Sequence, residues 1–460
     1  MTPSTPSTPT TTANSANSAY AAQPLDEAAY DRRRLRQWLA GEARAAGVAR
    51  RDVLRLAGAA GLAATVPALG GGLPGAHAGT APGAAPGTAP GGIQGIAPRI
   101  APGIVKPLPD DVFTVRGTNA ETRFEALAAT GRLTPASHFF VRNHTTTPRI
   151  DADTWRLTVW GDGLTGGAHE FTLADLKRLP SASRTAFVEC AGNGRGLFTT
   201  QQGQQASGTA WTLGAVGQAR WRGVRLADVL RRAGLARHAV DVMPRGLDDG
   251  YVTADGTDLG RVRRPLPLAK ALDDVLLAYE MNGEPLPPDH GHPVRVVVPS
   301  WIGIASVKWV GDIEVSATPL YSPWNTDFYR LFGPGHPPQG SAPLTRQTLK
   351  SAFELPWHAR FEAGTRHRLT GRSWSGGGAV DHVEISTDNG GTWRRARLHD
   401  APRRGSWVRW SADWHPRTPG PGVLLARTTD TTGRTQPATT AFNTQGYLFD
   451  AVVRHPVTVE

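Results

Sequence analysis

Hydrophobic and polar residues follow two different patterns along this 460-residue chain. Between about residues 104 and 320, segments that alternate like strands lie between segments with helical spacing. After about residue 345, short strands with polar turns follow one another and no helix is predicted. The pattern indicates an α+β fold: a mixed α/β domain at 104–320, a Pro- and Gly-rich connection at 321–344, and an immunoglobulin-like β-sandwich at 345–460.

Local signals place the elements of the first domain. Thr118-Asn119-Ala120-Glu121 resembles a capping box and predicts a helix that contains Phe124 and Leu127 and ends at Gly131. The turn of a hairpin is predicted at Asn282-Gly283. Further helices are predicted at 172–179 and 226–233, and strands at 155–160, 185–189, 275–280 and 294–298.

The second domain is predicted from short strands and one strong turn. Asp388-Asn389-Gly390-Gly391 is typical of a hairpin turn, because Asn and Gly tolerate positive φ angles. The strands are predicted at 369–374, 382–386, 393–398, 407–410 and 423–428.

The first 78 residues resemble a secretory signal. Basic residues around Arg50-Arg51 precede an apolar stretch from Leu56 to about Leu73, and Ala76-His77-Ala78 offers a cleavage site. The paired arginines predict export by the twin-arginine route to a periplasmic or other extracytoplasmic location, with an uncleaved membrane anchor as the alternative. Residues 79–103 are predicted to be an Ala-, Pro- and Gly-rich linker.

The sequence contains a single cysteine, Cys190. It therefore excludes an intrachain disulfide, a cysteine-rich zinc site, a cysteine-ligated iron–sulfur cluster and a covalently attached c-type haem. Any redox chemistry must use this one sulfur or a bound cofactor.

The formal net charge is +11, and arginine supplies almost all of the positive charge. Compositional bias is one explanation. The other is an anionic partner, since a guanidinium group binds oxyanions through two parallel hydrogen bonds. No basic run in the expected mature chain alternates with aromatic residues as nucleic-acid binding would require, so we expect no nucleic-acid partner.

The residues around Cys190 carry the most specific chemistry. An apolar strand, Phe187-Val188-Glu189, ends at the thiol, and a glycine-rich turn with an arginine follows at 191–196. The residues alone leave three alternatives open: a buried inert cysteine, a catalytic thiol nucleophile and a metal ligand.

The segment Cys190-Ala191-Gly192-Asn193-Gly194-Arg195 resembles the molybdenum-ligand loop of the sulfite oxidase family, and 139–144 resembles that family's cofactor and substrate segment. Residues 383–393 resemble its sandwich dimerisation domain. Further motifs follow in the family's order at 211–215, 219–226, 279–287, 289–295 and 307–309, so the resemblance covers roughly 105–460.

The resemblance implies a molybdenum–molybdopterin cofactor whose metal is bound by one protein thiolate, here Cys190. Arg295 and Lys308 are suited to its phosphate tail, and Asp248 to the N–H groups of the pterin. The positions that match the family's cofactor-binding residues are Phe140, Arg142, Asn143, His144, Cys190, Asp248, His290, Arg295, Ser306 and Lys308.

The resemblance also implies that sulfite is oxidised to sulfate by oxygen transfer. The residues that match the substrate pocket are Arg142, Arg195, Trp211, Tyr329 and Arg409. For Arg409, a surface ion pair is the alternative. Gly194 stands where the family usually has an arginine, and His292 stands where an aromatic residue is common. These departures keep a related molybdoenzyme open, acting on another oxyanion or a sulfoxide.

The resemblance implies a homodimer formed through the sandwich domain. Some members of the family carry a haem domain, but we expect no haem or iron–sulfur cluster here, because the sequence has no extra module of about 100 residues and only one cysteine. Electrons are therefore expected to pass to an external acceptor such as cytochrome c. A secreted binding module with a degenerate first domain is the alternative from another class. Cys190, Arg142, Arg195 and Tyr329 occur together, which argues against such decay.

Overall fold

The computed structural model describes residues 101–460. The predicted signal region at 1–78 and the linker as far as residue 100 lie outside the described residues. Within 101–460, no helix combines the length and the apolar character that a membrane crossing needs.

Two five-stranded sheets form the framework of the first domain. Its strands are β1 (Phe113–Arg116), β2 (Asn119–Thr122), β3 (Arg156–Trp160), β4 (His169–Thr172), β5 (Ser181–Glu189), β6 (Val216–Arg225), β7 (Asp241–Gly246), β8 (Leu266–Pro267), β9 (Leu276–Met281), β10 (Glu284–Pro285), β11 (Arg295–Val297) and β12 (Val310–Ser316). One sheet has the order β10-β9-β6-β5, with β11 also paired to β9, and all of its pairs are antiparallel. The other has the order β4-β3-β12-β7-β8, in which β3 and β12 run parallel.

Short helices connect these strands. They are α1 (Leu173–Arg178), α2 (Arg195–Gln202), α3 (Leu226–Arg232), α4 (Leu268–Asp273) and α5 (Pro323–Thr326). The helix predicted at 172–179 is confirmed as α1, and it begins with a capping box: the Thr172 hydroxyl accepts from the Asp175 backbone N–H at 3.0 Å, and the Asp175 carboxylate accepts from the Thr172 N–H at 2.8 Å. The strands predicted at 155–160, 185–189, 275–280 and 294–298 and the helix at 226–233 are confirmed as β3, β5, β9, β11 and α3.

The predicted capping box at 118–121 is wrong. Residues 119–122 form β2, which pairs with β1, and only a short 3₁₀ turn follows at Phe124–Leu127. The Glu121 carboxylate is buried and accepts from the backbone N–H groups of Thr212 at 2.6 Å and Gly214 at 3.1 Å. These distant donors satisfy the carboxylate in the interior, so it is not available to cap a helix.

The second domain is a sandwich of two sheets, as predicted. Its strands are β13 (Lys350–Phe353), β14 (Ala359–Phe361), β15 (His367–Trp374), β16 (Val380–Ser386), β17 (Arg394–Arg395), β18 (Arg397–Leu398), β19 (Val408–Trp414), β20 (Gly420–Asp430) and β21 (His455–Val459). The sheets have the orders β13-β15-β19-β18 and β14-β21-β20-β16-β17. Leu369, Val383 and Trp410 pack between them. The turn at 388–391 is confirmed, with positive φ at Asn389 and Gly390.

The segment at 321–344, predicted as a connection between the domains, packs against the first domain. Trp324, Tyr329 and Leu344 are buried in the same apolar cluster as the strands of the second sheet. The connection is therefore built into the domain that precedes it, and α5 lies within it.

The two domains share an apolar interface and a buried ion pair. Trp374 and Trp407 of the sandwich pack with Phe124 and Phe187 of the first domain. Next to them, Lys350 Nζ lies 2.5 Å from a carboxylate oxygen of Glu189, and the exposed fractions of the two side chains are 1% and 0%. The sandwich is thereby joined to the end of β5, the strand that leads into Cys190.

Replacing Lys350 by Met should lower the free energy of unfolding by about 3–5 kcal/mol, because Glu189 would be left buried without its cation. Denaturant unfolding of the purified protein measures the change. Arg360→Met is the control. Arg360 pairs with Glu460 at the surface, where the side chains are 73% and 52% exposed, so its loss should be below about 1 kcal/mol. Equal losses in the two variants would contradict the structural role of Lys350.

Candidate active site

Cys190 lies in the tight turn between β5 and α2. Its backbone N–H donates to Ala215 O at 2.9 Å, and its carbonyl accepts from Asn193 N at 2.9 Å. Gly194 begins α2 with a φ of 94°, a left-handed conformation that favours glycine. The turn therefore holds the thiol at a defined place at the end of the sheet.

Glu189 holds this turn in place through buried hydrogen bonds. Its carboxylate accepts from Asn193 Nδ2 at 2.9 Å and from Trp374 Nε1 at 2.8 Å, in addition to Lys350. Asn193 Oδ1 in turn accepts from Ala215 N at 3.0 Å. Each polar atom in this buried group has a partner, so the position of the thiol depends on both domains.

A cavity lies on one side of Cys190. We call it the first cavity. Its walls come from the segment at 139–144, the turn after β7, the loop before β11 and the loop before β12. The structure brings together here all of the residues predicted to bind the cofactor: Phe140, Arg142, Asn143, His144, Cys190, Asp248, His290, Arg295, Ser306 and Lys308.

Two buried cations lie in the first cavity. Arg295 donates to Ser306 O at 2.9 Å and to His290 O at 3.1 Å, while Lys308 donates to Asp289 O at 2.9 Å and to Asn143 Oδ1. Burial lowers the pKa of Arg295 to about 9, and burial together with the charge of Arg295 lowers the pKa of Lys308 well below its usual range. An anionic group such as a phosphate would stabilise the charged form of both side chains.

Asp248 places an acceptor in the same cavity. The residue is 3% exposed, and its Oδ1 atom is buried with no hydrogen-bond partner. Burial raises the pKa of this carboxyl to about 6. A ligand with N–H groups would satisfy the atom, so the residues present fit a pterin with a phosphate tail.

The two histidines of the first cavity are neutral. Burial, followed by nearby cations, lowers the pKa of His144 and of His290 well below the usual range. The Trp324 indole donates to His144 Nε2 at 3.1 Å. Because an indole N–H can only donate, Nε2 carries no proton and the proton resides on Nδ1. His144 therefore presents an N–H donor on its other side.

A second cavity adjoins the first and shares with it Arg142, His144, Cys190 and Tyr329. We call it the second cavity. No Asp or Glu occurs among the described residues that line it, and it contains the two guanidinium groups of Arg142 and Arg195. Its electrostatic potential therefore favours a small anion next to the Cys190 sulfur.

Arg195 is held flat against the cysteine turn. Its Nε donates to Gln445 O at 2.7 Å and its Nη1 to Thr209 O at 2.9 Å. A Cβ atom added at Gly192 would lie 2.5 Å from Arg195 Nη2, so glycine is required beneath the guanidinium. Burial raises the pKa of Tyr329, and its hydroxyl is therefore protonated at neutral pH.

The structure does not bring Trp211 and Arg409 to either cavity. Trp211 has 0% exposure and packs in the apolar core that contains Cys190. Arg409 lies on β19, where its Nε and Nη2 each lie 3.1 Å from the two carboxylate oxygens of Asp400. Neither residue therefore lines the cavities at Cys190, and Arg409 forms the partly exposed ion pair that was the alternative for this residue.

Eight lining residues of the second cavity were missed by sequence reasoning: Ser207, Gly208, Thr209, Tyr251, Trp324, Phe328, Gln445 and Tyr447. The last two come from the second domain, more than 240 residues after Cys190 in the sequence. No local pattern near 445–447 indicates a site, and only the packing of the two domains places these side chains beside Arg195.

This fold and site define the class of molybdopterin-binding oxidoreductase domains, and comparisons with known proteins agree. A family model for the oxidoreductase molybdopterin binding domain matches residues 144–324. A model for the Mo-co oxidoreductase dimerisation domain matches residues 348–460. The predicted family and the two-part fold are thereby confirmed.

Comparison with individual proteins identifies the family more specifically. Sulfite oxidase of Gallus gallus is 35% identical over 354 residues, which cover 72% of this chain and 74% of the relative. Mitochondrial sulfite oxidase of Homo sapiens is 38% identical over 358 residues, and this chain spans 63% of its length. The nitrate reductase [NADH] of Ulva prolifera is 31% identical over 64% of this chain and 36% of its own. The chain therefore belongs to the sulfite oxidase family.

One solved structure supports the same fold. Sulfane dehydrogenase SoxCD from Paracoccus pantotrophus superimposes with a TM-score of 0.62 at 27% sequence identity. The match covers 73% of this chain and 83% of that one, so it includes both domains.

Replacing Asp248 by Asn should have opposite effects on the empty and the loaded protein. In protein prepared without cofactor, the free energy of unfolding should rise by up to ~3 kcal/mol above pH 6, because a carboxylate that ionises only at about 6 when folded no longer has to be buried charged. The gain should shrink as the pH falls below 6 and should vanish only well below the ordinary value of 3.8, where Asp248 is protonated in both the folded and the unfolded state. In the loaded protein, the pterin content should fall because an acceptor is lost.

Unfolding curves between pH 4 and 8 and pterin analysis after gel filtration measure these two effects. The control is Asp249→Asn, because Asp249 is the exposed neighbour and lines neither cavity. A variant of Asp248 that is less stable above pH 6 and retains its pterin would contradict the role assigned to this carboxylate.

Proposed function

We propose that this protein is an exported, molybdenum-dependent sulfite dehydrogenase. The observation that carries the proposal is the position of Cys190, between a cavity that fits a pterin phosphate and a cavity with two arginines and no lining carboxylate. The named activities of the relatives, sulfite oxidase in particular, support this assignment.

In this proposal, the first cavity holds the cofactor. Cys190 binds molybdenum through its thiolate, and a bound thiolate is less readily oxidised than a free one. Arg295 and Lys308 bind the phosphate tail, and Asp248 accepts from the pterin N–H groups. When bound, the group supplies oxygen-atom transfer and accepts two electrons.

The second cavity holds the substrate. Arg142 and Arg195 attract sulfite and orient its oxygens, and they stabilise the negative charge of the departing sulfate. Tyr329, protonated and buried at the shared wall of the two cavities, donates a hydrogen bond to the oxyanion. The overall reaction balances as sulfite and water giving sulfate, two protons and two electrons.

The electrons leave to a separate acceptor of the cytochrome c type. We propose that this chain carries neither a covalently attached c-type haem nor a cysteine-ligated iron–sulfur cluster, since its single cysteine is engaged in the site. We also propose that the sandwich domain forms a homodimer, for which the match to a dimerisation domain is the support. Residues 1–78 direct twin-arginine export in this proposal, which allows the cofactor to be inserted before the folded protein crosses the membrane.

The test of the proposed function begins with metal analysis and a sulfite assay that uses an artificial electron acceptor. We expect about one molybdenum per chain and turnover of sulfite. Protein with full molybdenum content that reduces nitrate or a sulfoxide and does not oxidise sulfite would favour the alternative activity, for which the nitrate reductase relatives are the support. Absence of molybdenum after expression with a functional cofactor pathway would contradict the proposal.

Replacing Cys190 by Ser should remove molybdenum and turnover and leave the protein folded, because Ser occupies less space and keeps the turn. Metal analysis and circular dichroism measure the two properties separately. Retention of full metal content and turnover in this variant would contradict the ligand assignment.

Replacing Arg142 by Gln should raise KM for sulfite about tenfold to a hundredfold, because a charge-assisted hydrogen bond of about 1.5–3 kcal/mol is lost. Steady-state kinetics with sulfite measure the change. Arg409→Gln is the matched control and should leave KM unchanged, since this arginine pairs with Asp400 outside both cavities. A larger effect at Arg409 than at Arg142 would contradict the location of the substrate pocket.

A further inference from the structure

The C-terminal segment at 443–449 forms one wall of the second cavity. Gln445 and Tyr447 line the cavity, and both belong to the second domain. The side chain of Asn443 closes the segment into a tight loop, because its Oδ1 accepts from Tyr447 N and its Nδ2 donates to Tyr447 O, both at 2.9 Å.

Two hydrogen bonds, one donated from each segment, join this loop to the cysteine turn. The backbone N–H of Leu448 donates to Ala191 O at 2.9 Å, and Arg195 Nε donates to Gln445 O at 2.7 Å. The loop and the cysteine turn therefore hold each other, and Tyr447 lies between these two attachment points.

Two glycines are required by this contact. A Cβ atom at Gly446 would lie 2.6 Å from Arg195 Cγ, and Gly446 has a φ of 59°. A Cβ atom at Gly194, whose φ is 94°, would lie 3.0 Å from Phe449 Cβ. Phe449 thus occupies the space that a larger residue at position 194 would need, which explains in physical terms why glycine stands at that position in this chain.

Tyr447 contacts two polar residues of the second cavity, Tyr329 and Arg195. Its ring is stacked on the ring of Tyr329, with 5.1 Å between centroids and an interplanar angle of 13°. The guanidinium of Arg195 lies 5.3 Å from its centroid. The residue is 6% exposed, and burial raises the pKa of its hydroxyl above the ordinary value. The group is therefore a protonated donor throughout the neutral pH range.

We propose that Tyr447 is a specificity-determining residue of the oxyanion site: its hydroxyl donates to an oxygen of the bound anion, and its ring fixes Tyr329 in place. This inference rests on the proposed function, because it names the anion as sulfite and its product as sulfate. The second domain then contributes directly to substrate binding through residues near 447, and not through Arg409.

Replacing Tyr447 by Phe keeps the stacked ring and removes only the hydroxyl. We expect KM for sulfite to rise roughly tenfold to a hundredfold with kcat within about twofold of the wild type, because a donor to a charged group is lost. Sulfate should bind the holoenzyme more weakly by a similar factor in calorimetric titration. Replacing Tyr447 by Val also removes the stack, and kcat should then fall together with the loss of affinity, since Tyr329 is no longer held.

Tyr279→Phe is the matched control, because Tyr279 is a buried tyrosine of the first domain that lines neither cavity. Wild-type KM and wild-type sulfate affinity in Tyr447→Phe would overturn the inference. If the wild-type enzyme does not oxidise sulfite, the proposed function fails, and the titration with sulfate still decides the role of Tyr447. Equal affinity of the two proteins, or no binding by the wild type, overturns it.

Discussion

The buried ion pair between Glu189 and Lys350 is the constraint on which the site depends. A carboxylate with 0% exposure is costly to bury alone, and here it receives donors from Lys350, Trp374 and Asn193. Two of these donors come from the sandwich domain. Because Glu189 immediately precedes Cys190, the second domain fixes the thiol as well as the interface. The pair therefore links the assembly of the two domains to the geometry of the cysteine turn.

A second constraint is the free-energy cost of the charged side chains that are buried in the first cavity. Arg295 and Lys308 are buried against carbonyl oxygens, and Asp248 has an orphaned oxygen. Each of these groups costs free energy in the empty protein, and each is complementary to one part of a pterin phosphate. The empty site is therefore less stable than a purely structural core would be, and binding of the cofactor offsets this cost.

The sequence predicted the structural features that depend on local patterns and the site residues that belong to family motifs. The α+β class, the sandwich and the strand that leads into Cys190 follow from periodicity, and the cofactor-binding residues follow from family motifs that the structure gathers around one cavity. The errors have a common physical cause. Glu121 and Arg409 find partners that are distant or on a neighbouring loop, and Trp211 packs inside the core. Local sequence does not encode such tertiary partners.

The part of the second cavity that the second domain contributes could not be predicted from the sequence. Gly194 and Phe449 are separated by most of the length of the two domains, yet Phe449 fills the space that a Cβ atom at position 194 would need. With glycine at 194, the cysteine turn has one cation fewer than is usual in the family, and the loop at 443–449 packs into the space beside it. The pocket then presents two arginines and two stacked phenols to the anion, instead of a larger set of cations. Specificity in this chain therefore depends on how the domains meet, and a change at their interface acts on the oxyanion as directly as a change at Arg142.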